Sequence, residues 1–548
     1  MNHKTISQLL PWGSILFLAA VLSVAPFLSP DHVIYGFDME FHLGRIEGIA
    51  EGLRSGQFPV RVNPVELDGG GMPTGIFYPD IFLYIPAVLH LLGMPLLACW
   101  KALFVLVSLV TVFASWWAFG THMRSLRMGA VASLLYLIGF WRLFLVYIGT
   151  SIPSVLAMAF FPAALAAIWQ TLRRDAQEWP WAVFFSTCIL QAHILTSLLL
   201  VGTAGIMMLC SFRRFWQSDV RQAAGRAVGF TFLLNLWFFA PLLYFHQHMD
   251  YLMKAAARDG VWEWTLFPLP AFDFYIGSAM LFLVAGLAGF MLFHRDDAGS
   301  KPFWIYLLMS AAFLLLMPWK ELWHTVLAWL GGVLQFPMRL SVFPAIFLAM
   351  AVAVGFETAG WLRPGRSWRA LVCVILVFAM NMSWFSGYHH AIPLQTRAQD
   401  SFPPPIRRTT DMEYMTSLDR GYNGTKDYMD VATNALAQRK GTQESQSGSR
   451  RIMEAERRGN DFRLHHEAGT AEWIRLPVFW YMGYAARDSA QGVCPVRKEE
   501  DGKLGVLVPA TSGTVHVWYE GLPWFHVTDL ISWFSLFGFL YAAYRRRC

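Results

Sequence analysis

Charge is scarce in this sequence. Of its 548 residues only 15% are Asp, Glu, Lys or Arg, where a soluble protein carries about 25%. With 55% hydrophobic residues, that scarcity excludes an ordinary soluble domain and indicates an integral membrane protein. The many Trp and Phe fit the same class, because such rings sit at headgroup level in a bilayer. Cysteine is scarce too. Only Cys494 of the six cysteines falls in the large polar region, and no CxxC pair occurs, which excludes a disulfide framework and a thiolate zinc site. A strong charge of one sign is also missing. The balance of 43 basic and 37 acidic residues is +6, too small for nucleic-acid binding. No internal repeat is visible.

What is present is a series of apolar runs. A span needs roughly 20 apolar residues, and clear candidates are 11–30, 96–120, 128–146, 153–171, 227–245, 270–292, 303–318, 341–360, 369–386 and 526–544. The start, 1–30, also has the pattern of a signal peptide, with Lys4 ahead of an apolar core and "SVA" as a cleavage site. A retained first span is favoured, since 12–28 is nearly long enough to cross alone. Segment 80–95 is broken by Pro86 and Pro95 and reads as a surface segment; 181–209 reads as a tight hairpin. With these assignments the basic loops gather on one side: Arg124 and Arg127, Arg173 and Arg174, Arg213 to Arg226, Arg295 and Lys301, Arg363 to Arg369, and Arg545 to Arg547. That is the positive-inside pattern. It predicts about twelve spans with both termini cytoplasmic.

The expected fold class is therefore mainly α, a polytopic transmembrane helical bundle with a small mixed, β-rich outer domain. Residues 1–386 form the transmembrane module, with a first outer loop over 31–95. Residues 387–525 form the outer domain, and 526–548 the last span and a basic tail. Within the outer domain "AQRKGTQESQSGSRR" (437–451) reads as a linker or helix flank, while "LPVFWYMGYAA", "LGVLVPA" and "TVHVWYE" alternate as half-buried strands do.

The first loop is unusually rich in polar groups. After Asp38, the residues Leu43, Ile46, Ile49 or Ala50, and Leu53 form the apolar stripe of an amphipathic helix expected to lie on the membrane surface. Asp38, His42 and Arg45 fall near one another on its wheel, and Glu40 on another flank. Two readings of the acids stand side by side: catalysis, or a cap at Asp38 with Glu40 favouring the helix's positive end. "GQFPVRVNP" and "GGGMPTGIFYPD" follow, irregular backbone that carries Arg61, Tyr78 and Asp80. Such backbone at membrane level is tolerated where it is buried in protein or lines a cavity.

"DMEFHLGRI", "GQFPVR" and "GMPTGIFYP" after the first span, "LQFPMRL" (334–340), and "LPVFWYMGY" before the last span follow one another along the whole chain. In that order they resemble the GT-C membrane glycosyltransferases, which carry an acidic pair in the first outer loop; here the pair is Asp38-Met39-Glu40. The chain is most similar to the bacterial YfhO-like group, which overlaps membrane proteins related to 6-pyruvoyl-tetrahydropterin synthase. One motif departs: where a turn containing an acid is expected after the third span, this chain has "YIGTSIPS" (147–154). The resemblance implies an inverting glycosyltransferase of a bacterial cytoplasmic membrane. It would move a sugar from a polyprenyl-phosphate-linked donor to an envelope glycan, lipid or protein acceptor on the outer face. Asp38 would be the base, and Glu40 would position the acceptor or, with Asp38, hold a divalent metal such as Mg²⁺ or Mn²⁺. Arg45, Arg61 and Arg339 would contact phosphate, with Tyr78 and Asp80 as further polar contacts to substrate, and His42 and His193 would line the site.

Several of these residues also have plainer readings. His193 in "QAHILT" is at the expected hairpin tip, where an ionisable group is functional by default or simply binds the turn. Arg339 pairs with phosphate through its planar fork or snorkels to the interface. "HQHMD" (246–250) invites a metal, but His246 and His248 at i and i+2 do not face alike on a helix. Asn423-Gly424-Thr425 is a glycosylation sequon without meaning in a bacterium. The competing classes are a lipid-linked sugar transporter or flippase and a non-catalytic scaffold of envelope assembly. Transporters commonly show internal repeats and mid-span acids.

Overall fold

The computed structural model describes residues 3–30, 32–67, 69–249, 277–294, 300–334, 337–388, 390–393 and 452–545. The 437–451 linker, the Asn423 sequon, Asp250, Arg295, Arg546 and Arg547 lie outside them.

The described chain is mostly helical. Five helices are long and apolar enough to cross a membrane: Leu96–Met123, Ile152–Arg173, Pro337–Thr358, Trp368–Ser386 and Pro523–Arg545. Two further candidates are bent, Leu126–Leu137 with Phe140–Gly149 at 41° and Ser218–Leu234 with Leu236–His248 at 66°, so the number is seven if each bent pair is one span. Shorter apolar helices at Leu10–Leu22, Ile81–Leu91, Ile194–Cys210, Ser278–Phe293 and Ser300–Leu316 accompany them. The set is consistent with a multi-pass membrane protein; the twelve spans expected from the sequence are not all helices of spanning length among the described residues.

The breaks have local causes. At the first, the Asn381 amide donates to the Ile138 carbonyl at 2.9 Å, and the fully buried Arg142 donates to the Leu137 carbonyl at 3.1 Å and to Ser108 Oγ at 2.8 Å. Side chains thus satisfy carbonyls that the helix has released, as an apolar surround requires. The 181–209 run breaks at Gln191–His193 into two helices, Trp179–Leu190 and Ile194–Cys210, which touch each other.

The helix expected after Asp38 runs over Met39–Arg54. Its apolar stripe is buried, but so are His42 and Arg45, so it does not lie on a membrane surface with a polar face in water. The reason is the glycine row Gly44, Gly48 and Gly52, one helical turn apart. A Cβ on Gly48 would stand 1.9 Å from Asn63 Oδ1, and one on Gly52 2.5 Å from Val60 Cγ1. The returning 60–63 segment therefore packs directly on the helix backbone, and Asn63 Nδ2 donates to the Gly44 carbonyl at 3.1 Å.

Strand β1 (His32–Tyr35) pairs antiparallel with β2 (His390–Pro393). This ties the start of the first loop to the start of the 387–525 region and puts both on the same side. The rest of that region is all strand among the described residues: β3 (Ile452–Arg458), β4 (Asp461–His466), β5 (Glu472–Phe479), β6 (Tyr484–Asp488), β7 (Gly492–Val493), β8 (Val496–Lys498), β9 (Lys503–Val508) and β10 (Gly513–Tyr519). The mixed character expected of this domain is thus absent from its described part. Two antiparallel sheets, ordered β3-β4-β10-β6-β7 and β5-β9-β8, share one apolar core. Alternating residues such as Phe462, Leu464, Val478, Val506, Val515 and Val517 fill it, as the two-residue period of a strand dictates. Val62, Ile76 and Phe77 of the first loop belong to the same core. The loop's glycines also receive the sandwich: Phe479 N donates to the Gly70 carbonyl at 2.7 Å and Tyr481 Oη to that of Gly71 at 3.0 Å.

Candidate functional site

Asp38 begins the Met39–Arg54 helix, yet its side chain makes no capping bond. The plainer reading of this acid therefore does not describe it. Its carboxylate accepts instead from Ser151. The support is the "YIGTSIPS" turn: Phe37 N donates to the Ile148 carbonyl at 3.0 Å and Asp38 N to that of Gly149 at 2.9 Å. Gly36 makes this approach feasible, because a Cβ there would stand 2.5 Å from the Ile148 oxygen. Thr150 closes the turn in the left-handed region at φ +47°. Where the motif lacks an acid, it supplies a hydroxyl. Burial pushes the Asp38 carboxyl up from 3.8 to about 6, while the Ser151 hydrogen bond and the Arg339 guanidinium pull it back down. The residue as a whole is half-buried, so water still reaches part of it.

Around Asp38 stand two arginine–histidine pairs. Arg339, in the short helix Pro337–Ser341, lies with Nη1 2.9 Å from His193 Nε2; Gln335 and Phe336 of its motif lie outside the described residues. A guanidinium only donates, so Nε2 accepts and the neutral ring carries its proton on Nδ1. That proton points to Thr196 Oγ1, 2.8 Å away. The 3.3 Å approach of Thr196 N to Nδ1 then sets donor against donor and is not a capping bond. His193 therefore both sits at the helix break and holds Arg339. Arg45, 2% exposed, donates from Nη2 to the Pro79 carbonyl at 2.8 Å and lies 4.3 Å above the centre of the Tyr78 ring. Its Nη1 is 3.4 Å from His42 Nδ1. By the same reasoning His42 keeps its proton on Nε2, and that buried Nε2 has no partner among the described residues. Burial, with Arg45 adding repulsion, holds His42 well below its ordinary value and neutral. Tyr78 bridges the pairs, its ring 6.3 Å from those of both His42 and His193.

Of the residues expected at the site, Asp38, His42, Arg45, Tyr78, His193 and Arg339 therefore come together. Asp80 adjoins them: burial raises it from 3.8 to about 7, against the pull of Arg45 and Arg61. Two residues are diverted. Arg61, expected on phosphate, donates to Asp529 Oδ1 at 2.7 Å and lies over the Phe525 ring at 5.2 Å. It ties the first loop to the last helix, because a buried guanidinium binds the carboxylate in reach. Glu40 accepts from Tyr35 Oη at 2.8 Å and is held toward β1.

Among the described residues no three of His, Cys, Asp and Glu form a group that could hold a metal through protein ligands, and Glu40, the second acid of the expected pair, is engaged by Tyr35. The neighbours of Asp38 are a hydroxyl and cations. In "HQHMD", His248 Nδ1 is 2.8 Å from the Tyr244 carbonyl of its own helix, and Asp250 lies outside the described residues.

Sequence reading missed Ser151, Tyr35 and Asp529. Asp529 had a signal, being an acid inside the final apolar run. Ser151 had none beyond its place in "YIGTSIPS". Comparison with protein-family models gives no match, and neither does comparison with curated proteins. What fold and site define is a class: a helical protein of multi-pass membrane type, with a β-sandwich docked on a first loop that holds a half-buried carboxylate among guanidinium groups.

Proposed function

We propose that this chain is a membrane glycosyltransferase that transfers a sugar from a polyprenyl-phosphate-linked donor to an acceptor hydroxyl on the outer face of a bacterial membrane. One observation carries the reading: a carboxylate raised to about 6 faces Arg339, in one cluster with Arg45 and an unsatisfied His42 N–H. Glycosyl transfer from a lipid phosphate asks for those two things, a base and a bed of cations and donors. The resemblance of the motifs to GT-C enzymes supports the same reading, as do the arginine clusters of the sequence, which by the positive-inside pattern would put the first loop on the outer face.

Asp38 accepts the proton of the acceptor hydroxyl. The acceptor oxygen then bonds to the anomeric carbon from the side opposite the phosphate, and the configuration inverts. The carbon–oxygen bond to the phosphate breaks, and its electron pair stays on the phosphate oxygen. Arg339 and Arg45 neutralise that charge, and His42 Nε2–H donates to it; fixed donors in a site poor in water are worth more than in solution. His193 keeps Arg339 aimed, and Ser151 keeps Asp38 aimed. No step is assigned to a metal.

The test is glycan labelling on the outer face of cells carrying wild type or Asp38→Asn at matched membrane levels, together with the pool of lipid-linked sugar. Loss of a specific glycan with a build-up of the lipid-linked donor is expected. Wild-type labelling in the variant would sink the proposal and favour a transporter or a scaffold.

A further inference from the structure

The β domain carries a second set of groups that this reaction does not use. Across β3, β4, β10 and β6 the residues Glu456, Arg463, His516 and Arg487 lie side by side in register. Their chain neighbours Phe462, Leu464, Val515, Val517 and Ala486 fill the core, so the strand period sends this row outward. Arg463 and Arg487 are exposed, and His516 and Trp518 half-buried. The His516 and Trp518 rings stack with centres 4.6 Å apart. His516 Nε2 is 2.6 Å from Asp461 Oδ2. Next to the row a cleft of about 100 Å³ is lined by Arg54, Ser55, Glu456, Arg458, Asp461 and Arg463. Arg54 and Ser55 end the helix that Asp38 begins. That helix has 16 residues, so the cleft is about 24 Å along the first loop from the candidate base.

The chemistry of this face selects its occupant. Guanidinium and carboxylate groups alternate within one cleft. A ligand of a single charge sign, such as a lipid phosphate, would meet like charge as well as unlike, since two carboxylates stand among the three guanidinium groups. A protein partner is held by a contiguous apolar core, and here one ring stands among charges. Hydroxyls both donate and accept, so a polyhydroxylated ligand satisfies both signs at once. A flat ring such as Trp518, apolar on its faces, suits the C–H face of a sugar.

We propose that this sheet face binds a carbohydrate chain, Trp518 stacking on a sugar ring and the cleft of Arg54, Arg458, Arg463, Glu456 and Asp461 bonding its hydroxyls. That this chain is the acceptor of the transfer rests on the glycosyltransferase reading; that the face binds carbohydrate does not. A glycan held there would reach along the first loop toward Asp38.

The experiment uses the full chain in phosphatidylcholine nanodiscs on a printed array of bacterial envelope oligosaccharides, followed by affinity measurement on the strongest-binding oligosaccharide. Trp518→Ala and Arg463→Glu are each expected to weaken binding tenfold or more, Trp518→Phe to retain most of it, and Asp38→Asn to bind as wild type does. The proposal is overturned if no oligosaccharide binds. It is equally overturned if both Trp518→Ala and Arg463→Glu, folded by thermal unfolding, bind within twofold of wild type, or if the same substitutions weaken binding to phosphatidylglycerol vesicles instead. If Asp38→Asn transfers sugar like wild type while Trp518→Ala loses binding, the catalytic reading fails and this one stands.

Discussion

Asp38→Asn separates catalysis from stability in one substitution. The carboxyl is raised from 3.8 to about 6, chiefly by burial. In the folded protein the charged form is therefore disfavoured. The resulting destabilisation is absent below pH 3.8, grows between 3.8 and about 6, and is complete above that. A shift of that size amounts to at most about 3 kcal/mol, less whatever the water reaching the half-buried residue relieves. Asparagine has the same shape, carries no charge, and its amide oxygen still accepts from Ser151. At pH 7.5 the variant should unfold at a higher temperature than wild type, and the gain should vanish near pH 4. Turnover should fall about 10²- to 10⁴-fold, the usual worth of a positioned base. Wild-type turnover itself should rise with pH through about 6, as the base loses its proton. The assays are thermal unfolding in nanodiscs and consumption of a radiolabelled lipid-linked sugar. A variant that is both less stable at pH 7.5 and fully active would refute the reasoning on both counts.

Arg339→Lys keeps the charge but loses the fork that reaches both His193 and a phosphate; kcat/KM should drop tenfold or more, read in the same turnover assay. Arg61→Ala strands the Asp529 carboxylate in a largely buried setting and should cost about 3–5 kcal/mol, whereas the Arg61→Met/Asp529→Leu pair should recover much of that loss in thermal unfolding. Gly48→Ala forces a methyl group against Asn63 and should cost about 1–3 kcal/mol, seen as a lower unfolding temperature and a lower yield of folded protein.

Much of the architecture was readable from residue order. The apolar runs mark the long helices, with bounds off by a few residues, because a bilayer-length apolar segment has few other stable forms. The period-2 runs at 504–510 and 514–520 lie on β9 and β10, while 476–486 runs from the end of β5 through a turn at 480–483 into β6. The clustering of Asp38, His42 and Arg45 was readable as well, since helical spacing alone brings them to one side. The role of the glycines was not. Gly44, Gly48 and Gly52 look like weak points in a surface helix, and only the 60–63 segment lying on them explains why the helix is buried with its histidine and arginine inside.

The sequence by itself determined the class, the run of helices and strands, and the local group of Asp38, His42 and Arg45, because composition and periodicity act over a few residues. The tertiary structure alone decided which distant groups meet. It brings Ser151 to Asp38 across 113 positions in the chain and His193 to Arg339 across 146, and it draws Arg61 away to Asp529 across 468. No local pattern encodes such pairs, since a buried charge takes whichever partner the packing of the whole chain carries to it.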